Sequence, residues 1–310
     1  MAADVLAITG GVGGAKLGLG LSKLLGPDSL AFAVNTGDDF EHLGLEICPD
    51  LDTLVYTLAG LANPETGWGR RDETWSFMST LADLGGETWF NLGDRDLALH
   101  VVRSRRLAEG ATRTRVAGEL ARRLGVTHPV LPMSDDAVRT TVHTPDGPLA
   151  FQHYFVRERC APTVTGFEFH GIEQARPNPA ILDHLQRADG IVICPSNPFV
   201  SVDPLLGIPG MRAALERAAA PVVAVSPIVG GIAIKGPAAK MMRELSMPAR
   251  ADQVANHYGD LLDGFVLDHQ DAEAADAIAT RTVTAQTVMV TLRDRIELAS
   301  TVLDFIDELR

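Results

Sequence analysis

The sequence predicts an α/β protein: a doubly wound, mainly parallel sheet carrying an inserted helical lobe and a small β excursion. Three observations lead there. Short apolar, β-branched runs alternate with stretches whose apolar residues recur three and four apart, the texture of a sheet with crossover helices. The first run ends in a glycine-dense turn, "TGGVGGAK", that opens a helical stretch. Strand-like runs also come from both ends of the 310-residue chain, with a different texture between them. The arrangement is Rossmann-like.

Taken in order, "VLAIT" and "LAFAVN" read as the first two strands and "AKLGLGLSKLL" as the helix between them. From roughly residue 54 to 125 the chain is helix-rich, through "LVYTLAGLA", "TWSFMSTLADLG" and "DLALHVVRSRRLAEG". Next comes "AVRTTVHTPDGPLAFQHYFV", where Pro145, Asp146 and Gly147 supply the turn of a hairpin. "GIVICP", "PVVAVSP" and "GFVLD" then resume the buried-strand pattern. The tail, "VTLRDRIELASTVLDFIDELR", has the period of an amphipathic helix that packs on the core. The expectation is a single domain over residues 1–310, with about 54–170 as an inserted helical and β subregion.

Composition narrows the function classes. Hydrophobic residues at 46% and charged residues at 22% suit a globular chain, and no apolar run reaches the length of a bilayer span. The start, "MAADVLAITGG", has no basic region before its apolar run, so a cytoplasmic protein without membrane contact is expected. Cys48, Cys160 and Cys194 stand far apart and read as buried thiols rather than a disulfide or zinc framework. A formal charge of -13 argues against nucleic acid as a partner. Small phosphorylated ligands stay compatible, because a few amides, a helix terminus and a metal act locally.

The glycine turn fits neither familiar pattern. A Walker loop needs a hydroxyl after its lysine, but Lys16 is followed by Leu17. The dinucleotide fingerprint can begin at Gly11 and Gly13, but Lys16 occupies its third glycine position. The strand-to-helix context still favours an anion at the helix N-terminus, bound by Gly10, Gly11, Gly13 and Gly14. The alternative is a tight turn with no ligand.

The second strand ends in "NTGDDFEHLGLEICPDLDTL". Asp38 or Asp39 stands where a Rossmann enzyme binds ribose. Asp50 and Asp52 follow, and one carboxylate from each pair beside a phosphate loop would suit Mg²⁺; Asp50 also fits a helix N-cap. In "NLGDRDLALH", Arg95 lies between two acids at a helix start, where Asp94 fits a cap. Ser196 and Asn197 follow a buried strand, at the sheet edge where α/β proteins hold ligands. Lys235 in "VSPIVGGIAIKGPA" is either a second phosphate contact or a solvent lysine.

Together and in order, "GGVGGAK", "NTGDDFEHLGLEICPDLDT", "GWGRRDETW", "LGDRDLALHVVR", "LPMSDD", "PSNPFVSVDPLLGIPGM" and "SPIVGGIAIKGPA" resemble the 2-phospho-L-lactate transferase family, CofD, of coenzyme F420 biosynthesis, from about residue 5 to 240. The resemblance implies transfer of a phospholactyl-type group from a guanosine-diphosphate-linked donor to the ribityl hydroxyl of the deazaflavin Fo, with release of GMP, Mg²⁺ as cofactor, and a homodimer. It implies that Gly10, Gly11, Gly13, Gly14 and Lys16 line the donor phosphates, with Asn197 and Lys235 closing that site. Asp38 and Asp50 would hold the metal, and Asp52 and Arg95 would lie near the acceptor; the chemistry of alcohol attack adds the expectation that Asp38 also orients or deprotonates the acceptor hydroxyl. Val12 and Ala15 stand where the archaeal loop commonly has threonine and proline, and related bacterial transferases resemble users of phosphoenolpyruvate- or phosphoglycerate-derived donors. Two other readings are a YvcK-like regulatory protein that binds nucleotide sugars without turnover, and a nicotinamide-dependent oxidoreductase.

Overall fold

Every residue of β1 (Val5–Thr9) is buried, because the strand runs through the middle of a sheet covered on both faces. The structure is a computed structural model that describes residues 4–234 and 236–310. From β1 the chain passes through α1 (Gly11–Leu24) to β2 (Leu30–Val34), which pairs parallel to β1 from Val5↔Leu30 to Thr9↔Val34. It then leaves the sheet through a small hairpin, β3 (Phe40–His42) and β4 (Leu45–Ile47). Four helices follow: α2 (Pro49–Leu58), α3 (Ser76–Asp83), α4 (Asp94–Ala108) and α5 (Arg113–Arg123). The chain returns as β5 (Val130–Pro132), parallel to β2.

A second excursion forms an antiparallel sheet, β7-β6-β8, from β6 (Arg139–Thr144), β7 (Gly147–Ala150) and β8 (Gly166–His170). Thr144 pairs with Gly147, so the hairpin turn lies at the expected Pro145 and Asp146. After α6 (Pro179–Arg187) the chain re-enters the main sheet as β9 (Gly190–Ile193), on the opposite side of β1 from β2. The remaining elements are α7 (Asp203–Leu206), α8 (Met211–Glu216), β10 (Val222–Val225), the hairpin β11 (Ile228–Val229) and β12 (Ile232–Ala233), α9 (Ala238–Glu244), α10 (Ala251–Tyr258), β13 (Gly264–Asp268), β14 (Arg281–Ala285) and α11 (Leu292–Leu309).

The seven-stranded sheet has the order β14-β13-β10-β9-β1-β2-β5, and all its pairings are parallel. Winding reverses between β1 and β9, and the carboxyl ends at such a reversal leave a crevice. The five strands expected from the sequence are β1, β2, β9, β10 and β13. β5 escapes a sequence reading because it has three residues and ends in proline; β14, "RTVTA", escapes because it is a mixed-polarity edge strand. Since β5 belongs to the main sheet, the helical lobe and the β excursion are separate departures on either side of it.

Alternation along the strands assigns two cores. Leu6, Ile8, Ala31, Ala33, Ile191 and Ile193 face one side, while Val5, Ala7, Leu30, Phe32, Val34 and Val192 face the layer of α1 and α11. The tail helix is set by a capping box, in which Thr291 accepts from the Asp294 amide and Asp294 accepts from the Thr291 amide. Among the described residues, no helix is long and apolar enough to cross a membrane.

Candidate functional site

The crevice holds a cavity of about 340 Å³, lined by the glycine turn, the acids after β2, the first turns of α2 and α4, and the loops after β9 and β10. Gly11 takes φ +64°, which lets the chain turn sharply from β1 into α1. Gly13 needs its missing side chain, because a Cβ there would stand 2.3 Å from the Pro195 carbonyl oxygen of the neighbouring strand end. The loop after β9 thus presses on the turn; Ser196 Oγ accepts from the Gly10 amide at 3.1 Å and donates to the Gly10 carbonyl at 2.9 Å.

The turn is only partly available as an anion nest. Gly10 gives its amide to Ser196, and Gly11 gives its amide to Asp50 Oδ1 at 2.7 Å. The amides of Val12 and Gly13 lie in the first turn of α1, where no earlier helical carbonyl can take them, and both residues face the cavity. Gly14 does not line the cavity; a Cβ there would meet Thr9 Oγ1 at 2.2 Å, so it is a packing glycine. Lys16 does line it, and its Nζ donates to the Met289 carbonyl at 2.8 Å. Asn197 also lines it, with Oδ1 capping the following turn at Phe199 N, 3.0 Å away. Lys235 lies outside the described residues.

Beside the turn stand the carboxylates. Asp50 is not the N-cap of α2, a place held by Cys48. Its carboxylate reaches back to the Gly11 amide and to Asn35 Nδ2, 2.9 Å from Oδ2. Asn35 is itself held by accepting from the Gly37 amide and donating to the Val200 carbonyl, so β2 positions Asp50 through it. Asp38 is 6% exposed, and its Oδ1 is buried without a hydrogen-bond partner. Burial, and then the negative charge of Asp50, push the Asp38 carboxyl well above the usual range; burial raises Asp50 to about 6. Two crowded, desolvated carboxylates with an orphaned oxygen form an all-oxygen donor set that fits a hard divalent cation such as Mg²⁺.

A second cluster, across the cavity, joins α2 to α4. Arg103 is buried and grips Asp52 with both ends of its guanidinium: Nη1 lies 3.0 Å from Oδ2, and Nη2 donates to Oδ1. Nη1 also lies 3.0 Å from His100 Nδ1. Tyr56 donates to Asp96 Oδ1 at 2.5 Å. Burial pushes Asp96 up, but contacts from His100 and Tyr56 and the charge of Arg103 outweigh it and hold the carboxyl below its usual value. Asp52, Tyr56, Asp96 and His100 all line the cavity.

Of the residues expected at a site, the structure brings Gly10, Gly11, Gly13, Lys16, Asp38, Asp50, Asp52 and Asn197 to one cavity. Arg95 is exposed and does not line it, whereas Asp96 beside it does. Asp94 caps α3 rather than its own helix, accepting from the amides of Ser76 and Phe77. Sequence reasoning missed Asn35, Tyr56, Asp96, His100 and Arg103. The available signal was the spacing of Asp96, His100 and Arg103, which puts all three on one face of α4.

The chain matches the family model described as 2-phospho-L-lactate transferase CofD over residues 5–304. A phosphoenolpyruvate transferase from Kitasatospora aureofaciens is 40% identical over 316 residues, covering 99% of this chain and 98% of that one. A 2-phospho-L-lactate transferase from Methanosarcina barkeri is 35% identical over 306 residues, covering 98% of each chain. A solved structure of a UPF0052 family protein from Bacillus halodurans shares the fold, with a TM-score of 0.66 at 16% identity over 98% of this chain and 99% of that one.

Proposed function

This chain belongs to the 2-phospho-L-lactate transferase CofD family, and from that premise we propose that its cavity transfers a phosphoenolpyruvate-derived group from a guanosine-diphosphate-linked donor to the ribityl hydroxyl of the deazaflavin Fo, releasing GMP. The observation that carries the reading is that amides in the first turn of α1 and a crowded carboxylate pair line one cavity, with Asp50 joined to the turn through the Gly11 amide. The choice of acid is supported by the 40% identity to a phosphoenolpyruvate transferase, against 35% for the archaeal phospholactate enzyme. Val12 and Ala15, where archaeal loops commonly carry threonine and proline, agree with it.

In this reading the donor's diphosphate rests against the amides of Val12 and Gly13, with Lys16 and Asn197 beside it and Gly10 and Gly11 shaping the turn. Lys235 is a further proposed phosphate contact. The acceptor's primary hydroxyl attacks the donor phosphorus that carries the enolpyruvyl oxygen. A new P–O bond forms, the bridging P–O bond breaks, and GMP leaves with the electron pair. Asp38 orients that hydroxyl and takes its proton. Asp38 and Asp50 would hold Mg²⁺, which, when bound, supplies positive charge beside the phosphate oxygens. Asp52 lies on the acceptor side, with exposed Arg95 outside the cavity. We also propose a cytoplasmic homodimer.

The test incubates the protein with Fo, Mg²⁺ and, separately, guanylylated phosphoenolpyruvate, phospholactate and phosphoglycerate, and identifies the product by mass. Transfer from the phosphoenolpyruvate donor with stoichiometric GMP is expected. Transfer from the phospholactate donor alone would overturn the donor assignment. Tight donor binding without any product would favour a nucleotide-binding regulator.

A further inference from the structure

Asp52, Asp96 and His100 bring ligand atoms within 4.8 Å of one another, the outline of a metal site. Their partners argue for another use. The Arg103 guanidinium already grips both oxygens of Asp52, so an added cation would sit beside a fixed positive charge. A guanidinium can only donate, so His100 Nδ1, 3.0 Å from Arg103 Nη1, must offer its lone pair. The imidazole proton is therefore on Nε2, and that nitrogen has no lone pair for a metal.

The protonated Nε2 lies 3.2 Å from Asp96 Oδ2 but off the line of a good hydrogen bond, and it is buried without a satisfied partner. The His100 side chain is 2% exposed, yet it lines the cavity together with Asp96. A buried donor that makes no aligned hydrogen bond therefore stands beside a carboxylate acceptor. A hydroxyl complements that pair, because it accepts through oxygen and donates through its proton.

We propose that the His100 Nε2–H and the Asp96 carboxylate together read one secondary hydroxyl of the acceptor's polyol chain, with Arg103 as the positioning residue that fixes the His100 tautomer. This inference rests on the reading of Fo as acceptor and deepens it. His100 and Asp96 become binding residues that discriminate a hydroxylated chain from a deoxygenated one. Arg103 touches no substrate and acts only through His100 and Asp52.

The test measures dissociation constants, from the acceptor's own fluorescence, for Fo and for analogues each lacking one ribityl hydroxyl, against the wild type, His100→Gln, His100→Leu and Arg103→Lys. For the wild type, one analogue should bind about tenfold to a hundredfold more weakly than Fo, the scale of leaving buried polar groups unpaired. In His100→Leu, Fo itself should weaken by a similar factor and that analogue's disadvantage should shrink to the part Asp96 alone supplies, while His100→Gln, which keeps a donor, retains more of it. Affinity for GDP with Mg²⁺ should stay unchanged in every folded variant. Equal weakening of all analogues by His100→Leu, or a wild type indifferent to every deletion, would overturn the pairing. Should His100→Leu fail to fold, the wild-type analogue series and His100→Gln still decide. Binding is read without turnover, so Fo that binds selectively but is never modified would overturn the transferase reading and leave the hydroxyl reader standing.

Discussion

The two walls of the cavity are built by different means. The wall at the glycine turn is made of backbone: amides of a helix start, held in place by the Pro195 carbonyl and Ser196 pressing from the next strand. The wall between α2 and α4 is made of side chains, with a buried guanidinium fixing Asp52 and His100, and a tyrosine fixing Asp96. Backbone recognition suits a diphosphate, whose charge and shape are the same on every donor. Side-chain recognition suits a ligand that must be told from near relatives by its hydroxyls. Between the two walls, the carboxylate pair is where chemistry would occur, and substitutions there and on either wall should have separable consequences.

The largest effect is expected between the walls. Asp38→Asn should lower transfer at least about a hundredfold, the scale of losing a major acid-base or electrostatic contribution, with circular dichroism unchanged. Near-normal steady-state turnover by a folded variant would remove Asp38 from the chemistry. On the backbone wall, Gly13→Ala should weaken GDP binding about tenfold or more, because its methyl would meet the Pro195 carbonyl at 2.3 Å and move the turn. Calorimetric titration with GDP and Mg²⁺ checks this, and the same variant should leave the affinity for Fo nearly unchanged.

A smaller effect concerns pH. Asp50 is raised to about 6 mainly by burial, and Asp39, buried despite nearby arginines, to about 7. Both bind protons more readily in the folded chain than in the unfolded one. The stability they contribute is therefore complete at low pH and is lost as pH rises through those folded values. Without divalent cation, the melting temperature should fall between about pH 5 and pH 8, and added Mg²⁺ should restore more of it at pH 8, where its ligands are ionised. A melting temperature that rises across that window without metal would contradict the burial of these acids. The smallest effect lies far from either wall: Thr291→Ala should cost about 1 kcal/mol by denaturant titration, from the lost cap of α11, and leave transfer unchanged.

The two walls also differ in how far the sequence exposes them. A backbone site is local, so the glycine run, its strand and its helix stand together in "VLAITGGVGGAKL", and Asp38 and Asp50 follow at the next strand end. Even there, one feature was hidden: Asp50 looks like a cap for its own helix, and only the packing of α2 beside α1 shows its carboxylate taking the Gly11 amide. The side-chain wall is non-local. Nothing in "PDLDT" says that Asp52 meets Arg103, because that contact depends on how α4 lies across α2. Arg95 draws attention as a charged residue in a dense motif, yet the helix phase turns it to solvent and turns Asp96 inward. β5 is illegible for a different reason: three residues ending in proline carry no strand period, and only its parallel pairing with β2 makes it part of the sheet.

The most direct measurement is a crystal structure with GDP, Mg²⁺ and Fo bound together. The result expected has the diphosphate against the Val12 and Gly13 amides, the cation on Asp38 and Asp50, and the ribityl chain between Asp38 and the His100–Asp96 pair. A diphosphate seated away from the first turn of α1, or a ribityl chain that leaves the α2 and α4 wall untouched, would contradict it.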